Sequence, residues 1–446
     1  MTSVAAETDV LRQAFARLEE GRAEPSWLRD ARARAMGRFV ERGFPSPRDE
    51  AWRHTPIGPI VRTRWEPAEG SPRLSRPELR ALIPGGFRGA EAVMVGGRLS
   101  NELSRLDSGQ AGVAVRSLAD VIGREPGLVE PHLGRLTDGE ASVFADLNTA
   151  FATDGVVVVV DSGVVVAEPI HVVHLAAPGS DSPEVSFPRV LVLAGRGSQC
   201  RVVETYTGNA EGSHLTLAVT EVEVADNALV DHYRLQRESA QAFHVGTLAA
   251  RLGRDSRFAN RSFNLGAAVS RTDIEVRFEG EGGDCALDGL FMVDGERTSD
   301  THTRIDHARP HCSSRELYKG VLDGGSRGVF HGVVLVRPGA QKTDAVQMNR
   351  NLLLSRRALV HSVPQLEILA DDVKCRHGST TGQIDPAALF YLRSRGLDEA
   401  EARSLLTWAF ASDLVDGLEV EPLRKALLGH IQEYLSGSGI VREVLA

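Results

Sequence analysis

Cysteine is scarce. The chain of 446 residues has four, Cys200, Cys285, Cys312 and Cys375, and no C-x-x-C pair. That excludes a disulfide-stapled secreted fold and points to a reducing, cytoplasmic setting with thiols that are buried or chemical. Aromatic residues make up only 5%, which argues against stacking platforms for sugars or single strands. Positive charge is in deficit: 51 Lys and Arg stand against 60 Asp and Glu, a formal net charge of −9. A general nucleic-acid binder needs a basic face, so none is expected here. No apolar run reaches the roughly 18 residues of a membrane span. The opening MTSVAAETDVLRQAFARLEEG lacks the basic and apolar regions of a secretory signal. What remains is ordinary globular composition, 42% hydrophobic and 25% charged, long enough for two or three structural units at about 150 residues each.

The texture changes along the chain and divides it into 1–62, 63–154, 155–384 and 385–446. The first segment reads as a helix over 7–20 ending at Gly21, then a second from Pro25 to Gly43. Residues 63–78, rich in Pro, Gly and Ser, read as a linker; a short strand (AVMVGGRLS) and helical pieces follow. From Gly155 the sequence turns β. VVVVV, IHVVHLA, RVLVLAG, CRVVETYTG and LTLAVTEVEVA are short, Val-rich runs bounded by Gly, Asp, Asn or Ser. Some 230 residues without crossover helices exclude βαβ units and leave a sandwich, a barrel or a β-solenoid. No strict repeat decides among them. After 384 the chain is helical again. Asp385-Pro386 opens one helix, Asp398 caps an amphipathic one over 398–416, and Pro422 opens a last one. The apolar side of the 398–416 helix is assigned to Leu405, Leu406, Trp408, Ala409, Phe410 and Leu414.

Three familiar signals fail. Gly195-Arg196-Gly197 follows a strand-like run, but Cys200 stands at the third glycine position and RVVETY reads as strand, so no helix N-terminus awaits a pyrophosphate. PGAQKTD ends in Lys342-Thr343 without the glycines of a phosphate loop, so this chain should bind no nucleotide and hydrolyse no ATP itself. There is no G-x-S-x-G elbow and no H-E-x-x-H helix.

Two polar clusters survive. In DTHTRIDHARPHCSSRELYK, His302, Asp306, His307, His311 and Cys312 are close in sequence, and their donor types suit a metal or redox site. On a strand, however, His302, Arg304 and Asp306 share one face while Thr301, Thr303, Ile305 and His307 share the other. A hydrogen-bonded ladder is the competing reading. In ADDVKCRHGSTTGQID, Cys375 and His377 are two apart and share a strand face, about 7 Å apart along the chain. Thiolate and imidazole suit iron or zinc, and the flanking Lys374 and Arg376 would lower the thiol pKa. Two ligands make no complete site, because iron–sulfur clusters usually take four.

The runs LYKGVLDGGSRGVFHGVVLV, AQKTDAVQMNRNLLLS, PQLEILADDVKCRHGSTTGQID and LFYLRSRG, with PSPRDEAWRHT and FADLNTAFATDG upstream, resemble the SufB/SufD family of the SUF iron–sulfur cluster assembly system. The KC-x-HG form resembles the SufD branch more than the SufB branch. The resemblance implies a mainly β fold, a right-handed parallel β-helix core flanked by N- and C-terminal helical domains. It implies a non-catalytic scaffold that pairs with a SufB-like subunit, or with a second copy of itself where SufB is absent. It also implies docking of a SufC-like ABC ATPase on the C-terminal helices, with Trp408 or Phe410 as anchor. The cargo would be iron or a nascent cluster, transient and shared with SufB, with His377 and Cys375 as its ligands. Two departures from the family pattern stand out, His331 and Asp146. The alternatives are a SufB-like paralogue, a β-solenoid enzyme on polysaccharide, and a stand-alone metalloprotein using His302, Asp306, His307 and His311.

Overall fold

The structure is a computed structural model that describes residues 2–20, 24–68, 74–137, 142–176, 182–208 and 213–436. Its body is a parallel β-helix. The chain alternates between two sheets, so strands adjacent within a sheet are one coil apart in sequence. The first sheet includes Arg189–Ala194, His214–Val224, Phe243–Leu252, Val269–Phe278, Thr298–His307, Arg327–Val336 and Leu359–Ile368. The second includes Ile170–Ala176, Gln199–Gly208, Leu229–Gln236, Arg257–Asn264, Asp284–Val293, Ser313–Leu322, Asp344–Leu353 and Lys374–Gly382. This decides for the solenoid among the three β architectures. It also shows why no strict period is visible: Phe243 lies beside Val269, 26 positions on, whereas Arg327 lies beside Leu359, 32 positions on. The coils stay in register while the corners absorb the difference.

One corner recurs. Gly197, Asn227, Asp255, Gly282, His311 and Lys342 all have φ between 52° and 74° and each turns the chain from the first sheet into the second. Left-handed backbone favours Gly, Asn and Asp, so a corner signal was present in the sequence, spaced unevenly. Two of these corners carry residues that the sequence singles out, one as a candidate ligand and one in a rejected phosphate-loop signal. His311 is a corner residue and not a ligand, and the Gln341-Lys342-Thr343 segment is a corner in which Lys342 pairs with Asp372. Gly195-Arg196-Gly197 likewise leads into the strand Gln199–Gly208.

Between the sheets, Val158, Val192, Val222, Ile274 and Ile305 meet Val172, Val202, Val230 and Leu287 in a continuous apolar interior. A polar seam runs inside it. Buried Glu204 accepts from His174 Nε2 (2.7 Å), Tyr206 Oη (2.7 Å), Thr220 Oγ1 (2.7 Å) and His232 Nε2 (2.8 Å). Burial pushes its carboxyl up, but the hydrogen bonds from the two histidines outweigh that and hold it well below the ordinary range.

Helices cover the outer faces. Thr2–Glu19, Ser26–Arg42 and Val143–Phe151 lie on the first sheet in one apolar cluster, Phe15, Phe39, Phe144 and Phe151 with Leu215, Leu217 and Val245. Pro25 precedes the second helix and Gly43 closes it at φ 67°, as the punctuation predicts. Asp146 ties these helices together through Arg38 (2.6 Å). Within 63–78, read from the sequence as a linker, Glu66 and Pro67 pair with Glu184 and Val185, and Arg76–Leu82 begins as a helix capped by Ser75; positions 69–73 lie outside the described residues.

The C-terminal helices Pro386–Ser394, Glu399–Ser412 and Glu421–Ser436 begin where expected, with Asp385 and Asp398 as side-chain caps. Their packing differs from expectation. Val415, Leu418, Leu423, Leu427 and Ile431 cover Val203, Tyr233, Phe263 and Val321 on the outer face of the second sheet. The buried residues of Glu399–Ser412 are the small Ala402, Ser404, Thr407, Ala411 and Ser412. Small side chains let this helix sit close on its neighbours, and Leu405, Leu406, Trp408 and Phe410 fall at the margins, half-buried.

Candidate functional site: the open end of the β-helix

Each sheet ends on a strand with one unpaired edge: Leu359–Ile368 in the first, Lys374–Gly382 in the second. Neither strand contains a buried residue. Leu359, Val363 and Ile368 are 49%, 47% and 41% exposed. A long, flat edge with exposed aliphatics is a template for strand pairing, and natural edges are ordinarily blunted.

The Cys375/His377 pair sits on that last strand. Alternation puts both side chains on the inner face of the second sheet, the face on which Ser379 Oγ meets Ser362 Oγ of the first sheet at 2.8 Å. His377 is exposed and Cys375 half-buried against Ala345 and Ala370. Burial pushes the Cys375 thiol up, and Asp344 adds to it. The expected lowering by Lys374 and Arg376 does not occur. Both flank Cys375 in sequence and therefore project to the other face.

The second cluster is dispersed. His302 lies on the outer face of the first sheet, its Nε2 3.0 Å from Asp300 Oδ1. Asp306 pairs with Arg337 Nε at 2.8 Å. His307 points inward to Ser314 Oγ (2.9 Å), and burial lowers its pKa to about 4. Cys312 is buried, and burial raises its thiol pKa. These side chains face opposite ways and already have partners, so the ladder reading describes them and the independent metal site does not. Among the described residues, no group of three or more His, Cys, Asp or Glu side chains is placed to hold a metal. His331 lies beside His302, ring centroids 5.0 Å apart, on the outer face and away from His377.

Two features escaped the sequence reading. The first is how PSPRDEAWRHT seats on the coils next to this end. Trp52 lies under the Arg271 guanidinium (4.1 Å), Thr55 Oγ1 donates to Asp300 Oδ2 (2.6 Å), and His54 stacks on His361 (3.6 Å). The second is an exposed aromatic pair. Trp408 and Phe410 pack toward the second sheet, with Lys319 Nζ 4.9 Å from the Phe410 ring. Phe390 and Tyr391, on a helix with no buried residue, are instead 74% and 56% exposed. Their only signal was the run LFYLRSRG.

A family model described as SUF system FeS cluster assembly, SufBD core domain, matches residues 176–410, and one described as SufBD protein N-terminal region matches residues 8–172. The chain belongs to the SufBD family. An iron–sulfur cluster assembly SufBD family protein of Synechocystis is 32% identical over 392 residues, 86% of each chain. The iron–sulfur cluster assembly protein SufD of Escherichia coli is 30% identical over 404 residues, 90% of this chain and 92% of its own. Protein ABCI7, chloroplastic, of Arabidopsis thaliana is 30% identical over 414 residues, 92% and 86% respectively. For a SufBD protein, an exposed imidazole and a thiol at an unpaired sheet end are donors suited to iron, and too few to hold a cluster alone.

Proposed function

We propose that this SufBD protein is a SufD-type, non-catalytic scaffold subunit. It pairs with a SufB-like subunit through the unpaired edges at 359–368 and 374–382, and with a SufC-like ABC ATPase through its C-terminal helices. His377 is a ligand for iron or the nascent cluster at the subunit junction, and Cys375 a secondary thiol. The observation that carries this is the coincidence of donors and edge: the Cys375/His377 pair stands on Lys374–Gly382, the last strand of the second sheet, which is paired on one side only. A partner strand added there would bring its own ligands to the same place. In the absence of SufB, a second copy of the chain fits the same edge.

The test is cluster yield on the complex. His377→Ala should leave the fold of the chain intact, because the side chain is exposed. It should cut the iron–sulfur cluster recovered by at least the roughly 10–100-fold that losing a metal's outer-shell partner costs. Cys375→Ala should cost less. An undiminished yield with His377→Ala removes the ligand role, and failure of a SufB-like subunit to co-purify removes the pairing.

For the ATPase, the exposed Phe390 and Tyr391 replace Trp408 and Phe410 as the anchors to test. Phe390→Asp should weaken binding of the SufC-like partner by about 2 kcal/mol, roughly 30-fold in Kd, with the thermal unfolding curve unchanged. Calorimetric titration with the purified ATPase measures it, and equal affinities would move the docking site elsewhere.

A further inference from the structure

His377 ends a column of inward-facing residues. Register places His232 beside Asn260, Asn260 beside Leu287, Leu287 beside Glu316, Glu316 beside Gln347, and Gln347 beside His377. The three outermost rungs are an acid, an amide and an imidazole. Glu316 and Gln347 are both buried. Gln347 Nε2 donates to Glu316 Oε2 at 2.6 Å. Gly332 of the facing sheet makes room for this amide, since a Cβ there would fall 2.3 Å from Gln347 Nε2.

This bond fixes the amide. At pH 8 Glu316 is an ionised carboxylate that only accepts, so the NH2 end of Gln347 must face it. Gln347 Oε1 is then turned away from Glu316, and it is buried without a hydrogen-bond partner. A buried carbonyl oxygen is ordinarily satisfied. The residue in register on the outer side is His377, whose ring carries the donor this oxygen lacks.

We infer that Gln347, held by Glu316, is the positioning residue for His377: its Oε1 accepts one ring N–H of His377 and leaves the other ring nitrogen to face the junction. This rests on the proposed role of His377 as a ligand. A metal-binding imidazole commonly donates its second N–H to an oxygen, which sets both tautomer and ring orientation. Here the oxygen would come from a buried amide, itself held by a buried acid. The chain thus builds the support for a ligand whose cargo and remaining ligands come from outside.

The experiment is proton and nitrogen NMR of the full chain labelled at histidine, at pH 8. An exposed imidazole exchanges its ring proton too fast to be seen. The expected result is a protected ring N–H, assigned to His377 because it vanishes in His377→Ala. It should be lost in Gln347→Met and weakened in Glu316→Leu, which leaves Gln347 in place but frees its amide. In the complex, Gln347→Met should lower cluster yield roughly tenfold or more. Absence of a protected His377 N–H in the wild-type chain, where no interior residue has been altered, overturns the inference, as does its survival in Gln347→Met. If His377→Ala leaves cluster yield intact while the protected N–H is present, the ligand reading fails and the positioning contact stands.

Discussion

Glu204→Ala should destabilise the chain by about 3–5 kcal/mol, the usual cost of removing one member of a buried, hydrogen-bonded charged group. The carboxylate takes four bonds, from His174, Tyr206, Thr220 and His232. All four donors are buried, so none finds water when the acceptor is gone. His232 is further committed, because Asn260 Nδ2 donates to its Nδ1 at 2.8 Å. A solenoid is stabilised mostly between neighbouring coils, so the damage should be local. Amide exchange should accelerate first in Gln199–Gly208 and Leu229–Gln236, together with a lower urea midpoint. Glu204→Gln should cost less, since an amide oxygen still accepts. Wild-type exchange in those two strands for Glu204→Ala would show that the hub contributes little.

Glu316→Gln should act in the opposite direction and only at alkaline pH. Burial pushes this carboxyl up to about 7, with Thr303 and Gln347 opposing and Asp288 adding. Between the ordinary value of 4.5 and about 7, the folded state keeps a proton that the unfolded chain has released. Stability from this group is therefore complete below pH 4.5 and is lost as pH rises through 7. At pH 8 the ionised, buried group costs on the order of 3 kcal/mol relative to its solvated state. Replacing it with a neutral amide of the same shape removes that cost. The variant should be more stable than wild type at pH 8 and little changed at pH 5, as read by urea denaturation at the two pH values. An equal change at both would show that Glu316 does not titrate in this range.

Short-range rules set the local elements, and these are legible residue by residue. Val-rich runs bounded by Gly, Asp and Asn became the strands. Pro25, Gly43, Asp385 and Asp398 became helix ends, because capping and φ restriction act within a few residues. Alternation placed Cys375 and His377 on one face, and set Asp306 opposite His307, for the same short-range reason. The family resemblance supplied the scaffold reading.

Tertiary structure decided everything that depends on coil register. Glu204 and His232 are 28 positions apart, and Glu316 and Gln347 are 31 apart. They meet only because corners of unequal length bring successive strands into line, and no local pattern encodes that alignment. The same alignment made His311 a corner residue rather than a ligand. Which helical side chains stay free was decided similarly. The amphipathic pattern gave Trp408 and Phe410 an apolar side. Only the packing of the helices on the second sheet left Phe390 and Tyr391 in solvent, because burial is fixed by what a helix lies against as well as by its own periodicity.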